Sequence, residues 1–314
     1  MKLLLLRSLC FFNDTNIVSL AGNHININEC IFNGITNQIS YGGAIYCDKD
    51  VNFTVAQSVF YNCRAYSQGG AIYLSSTNSN TWIYSICGSM CNSPYFPFCV
   101  IAQGTNNIAS IKMASVSKCS NVVDNNRLSF FIVKAHVEVD SSNSSYNYVL
   151  EYSGIQIQET SSMFMQFCTY VGNYAGMYIT DYFYSIPAPF TIRFLNFISN
   201  AITKDNLGQI YIKSCSNIVF DFCHFSNNNK VLFAVESSSA SATNSFISHS
   251  SIYYGSFSYL NLNNTINGPY LSPQFISHFY TGNCEAFFIP VIMESKPLLY
   301  LSKISTIFIY LTII

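Results

Sequence analysis

The sequence predicts an all-β chain wound as a single-stranded parallel β-helix of about 27 residues per coil, and three observations carry that expectation. The pentapeptide Gly42-Gly43-Ala44-Ile45-Tyr46 recurs as Gly69-Gly70-Ala71-Ile72-Tyr73, its first glycines 69 − 42 = 27 residues apart. Farther on, Phe167-Cys168-x-Tyr170-x-x-Asn173 is followed by Phe194-Leu195-x-Phe197-x-x-Asn200 and Phe222-Cys223-x-Phe225-x-x-Asn228, with steps of 200 − 173 = 27 and 228 − 200 = 28. No stretch sustains a 3.6-residue apolar period between helix caps, so helices should be few. Short strands and glycine turns at this period are what one coil of a parallel β-helix requires. Leucine-rich repeats have a similar length but demand a leucine ladder that is missing here.

Residues 1–24 open with Lys2 before four leucines and are interrupted by Arg7, which reads as an N-terminal strand or cap, or as a degenerate signal segment. The β-helix is assigned to 25–275. Ile25-Asn26-Ile27-Asn28 alternates apolar and polar as a half-buried strand does. Cys30, Phe32 and Ile35 recur 28 residues on as Ser58, Phe60 and Cys63. Cys87, Cys91 and Cys99, with Pro94 and Pro97 among them, break the pattern. They are expected to project as a Cys-rich insertion near 87–119, with Cys119 as the fourth member and the first guess for a recognition surface. Their Cys-x3-Cys-x7-Cys spacing favours disulfides among these four over a zinc site, while Cys30 and Cys63 stay in the core. Phe167, Phe194 and Phe222 are expected in one inward column, and Asn173, Asn200 and Asn228 at one corner, where stacked amides form a ladder. Glycine pairs suit turns needing positive φ or close approach between coils. Residues 276–314 form a C-terminal apolar tail whose last uncharged run, 304–314, is shorter than the roughly 20 residues that span a bilayer. It reads as a last strand or a truncated terminus, with a degenerate membrane anchor as the alternative.

Composition narrows the function. Charged residues are 9% of the chain and the net charge is −1, which leaves no basic field for nucleic acid. Half the residues are hydrophobic, so the chain should fold rather than stay disordered. Twelve cysteines suggest disulfides in an oxidising compartment, against the alternative of thiols filling small core positions. The sequons at Asn13, Asn52, Asn143 and Asn263 fit a secreted or surface glycoprotein.

Catalytic constellations are sparse. There is no Gly-x-Ser-x-Gly elbow, no His-Glu-x-x-His and no phosphate loop. The strings of the pectin hydrolases, Asn-x-Asp, Asp-Asp, Gly-His and Arg-x-Lys, are also absent. Five residues past each repeat glycine come Glu159, Asp181 and Lys213. If those copies are adjacent coils, two carboxylates stack near the roughly 5 Å separation of retaining glycosidases, but a solvated strand end, where any charge is tolerated, is the simpler reading. Asp48-Lys49-Asp50, after Cys47, offers two acids towards calcium but reads more simply as a solvated turn. His24, His136, His224, His249 and His278 show no ligand spacing, with His224 expected to point outward. Arg64, Arg127 and Arg193 have no acidic motif beside them. No cofactor and no metal are expected.

The Gly-Gly-Ala-Ile strings at 42–45 and 69–72, with Phe-x-x-Asn at 197–200 and 225–228, resemble the paired repeats of the chlamydial polymorphic outer-membrane proteins. They are also similar to a large family of trichomonad surface proteins carrying the same repeats. The resemblance spans roughly residues 25 to 235. It implies a right-handed, pectate-lyase-like solenoid exposed at a cell surface, with a role in adhesion. No C-terminal barrel is recognisable, so the trichomonad proteins fit better than an autotransporter.

The sequence therefore points to a non-catalytic surface or secreted interaction protein, extracellular, whose partners are host or matrix surface molecules, carbohydrate included. Membrane association through the tail stays open. The alternatives are a polysaccharide lyase or glycosidase on the same fold, using Glu159 and Asp181, and a truncated paralogue without activity.

Overall fold

The computed structural model describes residues 3–6, 10–13, 18–19, 24–38, 41–119, 130–150, 153–176, 181–203, 208–248, 253–254 and 262–263. Every strand pairing among them is parallel, and the described residues contain no helix. The chain is a parallel β-solenoid. Each coil runs along a first face such as His24–Asn28, a second such as Cys30–Asn33 and a third such as Ile45–Cys47. The first two faces merge into one sheet of nineteen strands, because Thr81–Ser89 and Ile108–Ser117 bend through both. The third is a ten-stranded sheet.

The register is regular through the middle of the chain. Ile25 pairs with Phe53, Phe53 with Thr81, Thr81 with Ala109 and Ala109 with Val137, each step 53 − 25 = 28 residues. The third face steps by 27 from Ile45 to Ile72 to Cys99, since 72 − 45 = 27. Leu3–Leu6 also joins the stack, pairing with the strand at His24–Asn28.

Alternation sends every second side chain inward. Ile25, Ile27, Phe53, Val55, Ile83, Ile111, Val137 and Val139 form the core of the first face, all at most 1% exposed. On the second face Phe32 stacks on Phe60 at 4.8 Å. The next position is Gly88, where a Cβ would lie 2.1 Å from the Phe98 ring, so Phe98 enters from the third face and meets Phe60 edge-on. Each fully buried Phe contributes about 1.5–3 kcal/mol relative to exposure.

The corners explain the paired glycines. Gly42 and Gly69 have φ of 66°, which glycine adopts at no steric cost. Gly43 and Gly70 serve a different purpose. A Cβ on Gly43 would sit 1.9 Å from the Gly70 carbonyl oxygen, and one on Gly70 would sit 2.0 Å from that of Pro97, so the coils touch backbone to backbone there.

The corner between the first and second faces holds one left-handed residue per coil: Glu29, Gln57, Ser85, Met113, Ser141, Phe167, Phe194, Phe222 and Asn244, with φ between 44° and 57°. This backbone costs roughly 1–2 kcal/mol for an ordinary residue. Continuing the ladder offsets it: the Phe167, Phe194 and Phe222 amides donate to Arg193, Asp221 and Thr243 carbonyls at 3.0–3.1 Å. The expectation for these three phenylalanines is corrected here. They do form one column, with centroids 4.7 and 5.6 Å apart, but the left-handed turn swings them out of the core and leaves them half-buried. The inward residues are the next in sequence, Cys168, Leu195 and Cys223, each 0% exposed.

The segment 87–119 is not a projecting insertion. It supplies Thr81–Ser89, Cys99–Ala102 and Ile108–Ser117 to the faces in unbroken register. Pro94 and Pro97 lie in a corner that Ser93 closes by donating to the Phe96 carbonyl at 2.7 Å. Cys91, Cys99 and Cys119 are free, fully buried thiols, so the four cysteines do not pair among themselves. No disulfide joins two described cysteines, and nine of them are free and buried, Cys30 and Cys63 included.

The thiols act instead as small donors at corners. Cys30, Cys168 and Cys223 donate to the carbonyl two residues back, as Ser58 and Ser245 do in other coils. Burial pushes the Cys223 thiol up to about 12, which keeps it protonated for that role.

Candidate functional site

The outward side of the third face is the most differentiated surface of the described residues. Its central column runs Tyr46, Tyr73, Val100, Phe131, Gln156, Tyr182 and Tyr211, one residue per coil in register. Alternation forces this placement, because Ile45, Ile72, Cys99, Phe183 and Ile212 beside them point into the core. Tyr46 and Tyr73 stack at 5.7 Å, with Tyr41 on Tyr73 at 4.6 Å. Phe96 covers Phe131 at 4.6 Å, and Tyr182 and Tyr211 stack at 5.2 Å. The rings lie face to face along the solenoid axis. They therefore present edges and phenol groups outward, one rung after another.

Charged groups flank this column. The Tyr46 phenol donates to Asp48 at 2.8 Å, and that bond, ahead of desolvation, pushes Tyr46 up to about 12. Tyr211 donates to Glu236, which also pairs with Lys213 at 2.8 Å. The Glu236 carboxyl is thereby lowered, and the Lys213 ammonium is held above its ordinary range. Lys134 and Glu159 pair at 3.6 Å and join the walls of two open depressions. One is lined by Asp50, Ser76, Gln103 and Lys134, the other by Glu159, Ser161, Ser185 and Ser214.

The structure does not bring the candidate acids together. Asp181 pairs with Ile155, whereas Glu159 occupies a left-handed corner position and donates its amide to the Tyr184 carbonyl at 2.9 Å. The residue level with Glu159 is Ser185. Asp181 lies four residues earlier in its strand, a displacement of about 13 Å along the chain. Lys213 is in a third column, opposite Tyr184. The glycines used to align these copies are not equivalent: Gly176 follows the two-residue corner strand Tyr174–Ala175, while Gly154 directly precedes the third-face strand Ile155–Gln158. The side chain of Asp181 lies outside the described residues.

Asp50 closes a turn. Its carboxylate accepts bonds from Ser76 at 2.7 Å and from the Asn78 side chain at 2.9 Å, along with the Thr77 and Asn78 amides. These hold it at about 2, the Ser76 bond contributing most. No cluster of three or more His, Cys, Asp or Glu side chains among the described residues could hold a metal ion.

Other expectations change with the side chains in view. His224 does face away from the core, alternating with inward Phe225, but it is not solvent-exposed: it is 4% exposed, stacked on Phe246 at 4.8 Å and bonded to Ser226 at 2.8 Å. Arg193 pairs with Asp221 at 3.7 Å across one coil step, a partner that sequence proximity could not reveal. His24 contacts Thr54, His136 contacts Ser162, and His249, His278 and Arg127 lie outside the described residues. Asn143 is 4% exposed. Asn52 is half-buried, with its carbonyl accepting the Asn80 amide at 2.9 Å. Asn13 and Asn263 fall in strands whose side chains lie outside the described residues.

Sequence reading missed the tyrosine column. Its signal was the last letter of both Gly-Gly-Ala-Ile-Tyr copies, echoed by Ile210-Tyr211.

The fold and this face define a parallel β-solenoid with a laddered aromatic surface. No protein-family model, curated protein or solved structure matches the chain.

Proposed function

We propose that this chain is a non-catalytic recognition protein, secreted or displayed at a cell surface, and that it binds through the outward side of its third face. The observation that carries the reading is the column of Tyr46, Tyr73, Tyr182 and Tyr211 with its flanking pairs, Tyr46 to Asp48 and Lys213 to Glu236. Amphipathic aromatic side chains are favoured where a surface must contact a partner at low entropic cost. Their spacing of one per coil suits an extended partner with repeating polar groups, such as a matrix glycan or glycoprotein. The resemblance to trichomonad surface proteins supports the same reading.

Replacing Tyr73 and Tyr182 together by Ser should weaken binding to extracellular-matrix and glycan panels at least tenfold, an effect set against roughly 1.4 kcal/mol per decade. Glu159→Gln with Asp181→Asn should leave that binding unchanged. Cleavage of a polysaccharide by the wild type that disappears in the amide variant would overturn the reading.

A further inference from the structure

We propose that the corner between the second and third faces is a docking edge for a membrane surface carrying anionic headgroups. It is a different surface from the tyrosine column, and the inference does not depend on the recognition reading.

Exposed apolar side chains are concentrated at this corner. Eight large hydrophobic side chains stand exposed among the described residues, and six of them lie between a second-face and a third-face strand. They are Tyr66, Met90, Tyr95, Tyr146, Tyr148 and Leu150, between 41% and 69% exposed. The backbone turns two of them outward. Met90 and Tyr146 are left-handed, with φ of 56° and 53°, in a column with Asn62 and Lys118. Their amides continue the ladder by donating to the Ser117 and Val171 carbonyls, while the side chains swing away from the core. Gly172 comes next in that column, where a Cβ would lie 2.5 Å from the Tyr146 ring. Its missing side chain makes room for the ring. Two residues on, Tyr148 pairs with Tyr174 and the rings stack at 4.5 Å. The second face steps from Tyr61 through Ser89, Ser117 and Ser145 to Val171, so the coils of Tyr66 and Tyr174 are four strand spacings apart, roughly 19 Å. An exposed apolar edge of that length marks an interaction site rather than scattered surface residues.

Charge identifies the occupant. Arg64, Lys118 and Lys230 are exposed on this corner, and no described Asp or Glu lies there. The described acids sit on the first and third faces or at the two ends of the first, as Glu138, Asp48, Glu29 and Asp50 do. A chain of net charge −1 thus presents one edge whose described charges are all positive. Tyrosine rings with polar tips are favoured at the boundary between bilayer and water, and Lys and Arg beside them are drawn to anionic lipids. Met90 and Leu150 offer no polar group to a glycan, but they suit contact with acyl chains.

Cosedimentation of the full chain with vesicles tests this. Vesicles of phosphatidylcholine and phosphatidylserine should be bound at least about tenfold more tightly than phosphatidylcholine alone, and added salt should weaken the binding. Tyr148→Ser with Leu150→Ser should lower that affinity at least about tenfold. Tyr84→Ser with Phe164→Ser, which removes the two exposed aromatics of the first face, should leave it unchanged. Tyr148→Trp keeps a ring at the corner, so it should retain binding and add emission that brominated acyl chains quench more strongly than they quench Trp82 in the wild type. Failure of the wild type to bind either vesicle, equal binding to both, or equal loss in the corner and first-face variants would overturn the proposal. So would a Tyr148→Trp signal that brominated lipid leaves untouched, a result that stands even if the serine variant fails to fold.

Discussion

One corner column runs through Ile35, Cys63, Cys91, Cys119, Asn147, Asn173, Asn200 and Asn228, and its chemistry changes halfway along. In the second half each Asn carbonyl accepts the backbone amide of the Asn one coil earlier, at 2.9–3.1 Å, and each side-chain amide donates to a carbonyl of the preceding coil. In the first half the Cys63 and Cys91 thiols donate to the Phe32 and Phe60 carbonyls, the place taken later by the Asn amides. The Cys119 amide joins the halves by donating to Asn147 at 2.9 Å. Asn173→Ala removes an acceptor from the buried Asn147 amide and a donor from the Ser144 carbonyl. At about 1–3 kcal/mol for each of the two orphaned groups, the loss should be roughly 2–6 kcal/mol in urea unfolding, with the m-value unchanged. The sequence showed this column because Asn recurs at fixed spacing. It showed the phenylalanine column for the same reason but hid its outward turn, because left-handed backbone favours Gly and Asn, and nothing local marks Phe167, Phe194 and Phe222 as corner residues.

At the scale of the element, each corner is held by a residue of one coil reaching the next. Asp50 is the clearest case, since its carboxylate collects the turn of Ser76, Thr77 and Asn78 from the following coil. Its folded-state value of about 2 lies below the ordinary aspartate value of roughly 3.9. The stabilisation is therefore complete above the unfolded value and is lost as pH falls through the folded one. Thermal melts should show a decline between about pH 4 and pH 2 that is shallower in Asp50→Asn. Equal slopes for the two proteins would show that this turn does not depend on the carboxylate. Strand identity was legible because the period-two alternation is local. The 87–119 segment was misread because its cysteines and prolines look like a loop in isolation, although they occupy core and corner positions in regular coils.

For the whole molecule, the same geometry predicts that stability is a sum over neighbouring coils rather than the property of one closed core. Met165 pairs with Ile192, a step of 192 − 165 = 27, so deleting 165–191 should let Ile192 stack on Val139 in the vacated register. The second-face column would then run from Ser144 to Phe197, and the corner from Asn147 to Asn200, with like chemistry on both sides of the joint. On the third face Tyr211 would stack on Gln156. The shortened protein should keep a β-sheet circular dichroism spectrum and cooperative unfolding, with a lower m-value in proportion to the surface removed. Deleting 165–178, about half a coil, should instead abolish folding, because it brings third-face residues onto first-face partners and leaves the corner amides unmatched. A half-coil deletion that folded as well as the full-coil deletion would mean that register between coils is not what specifies this solenoid.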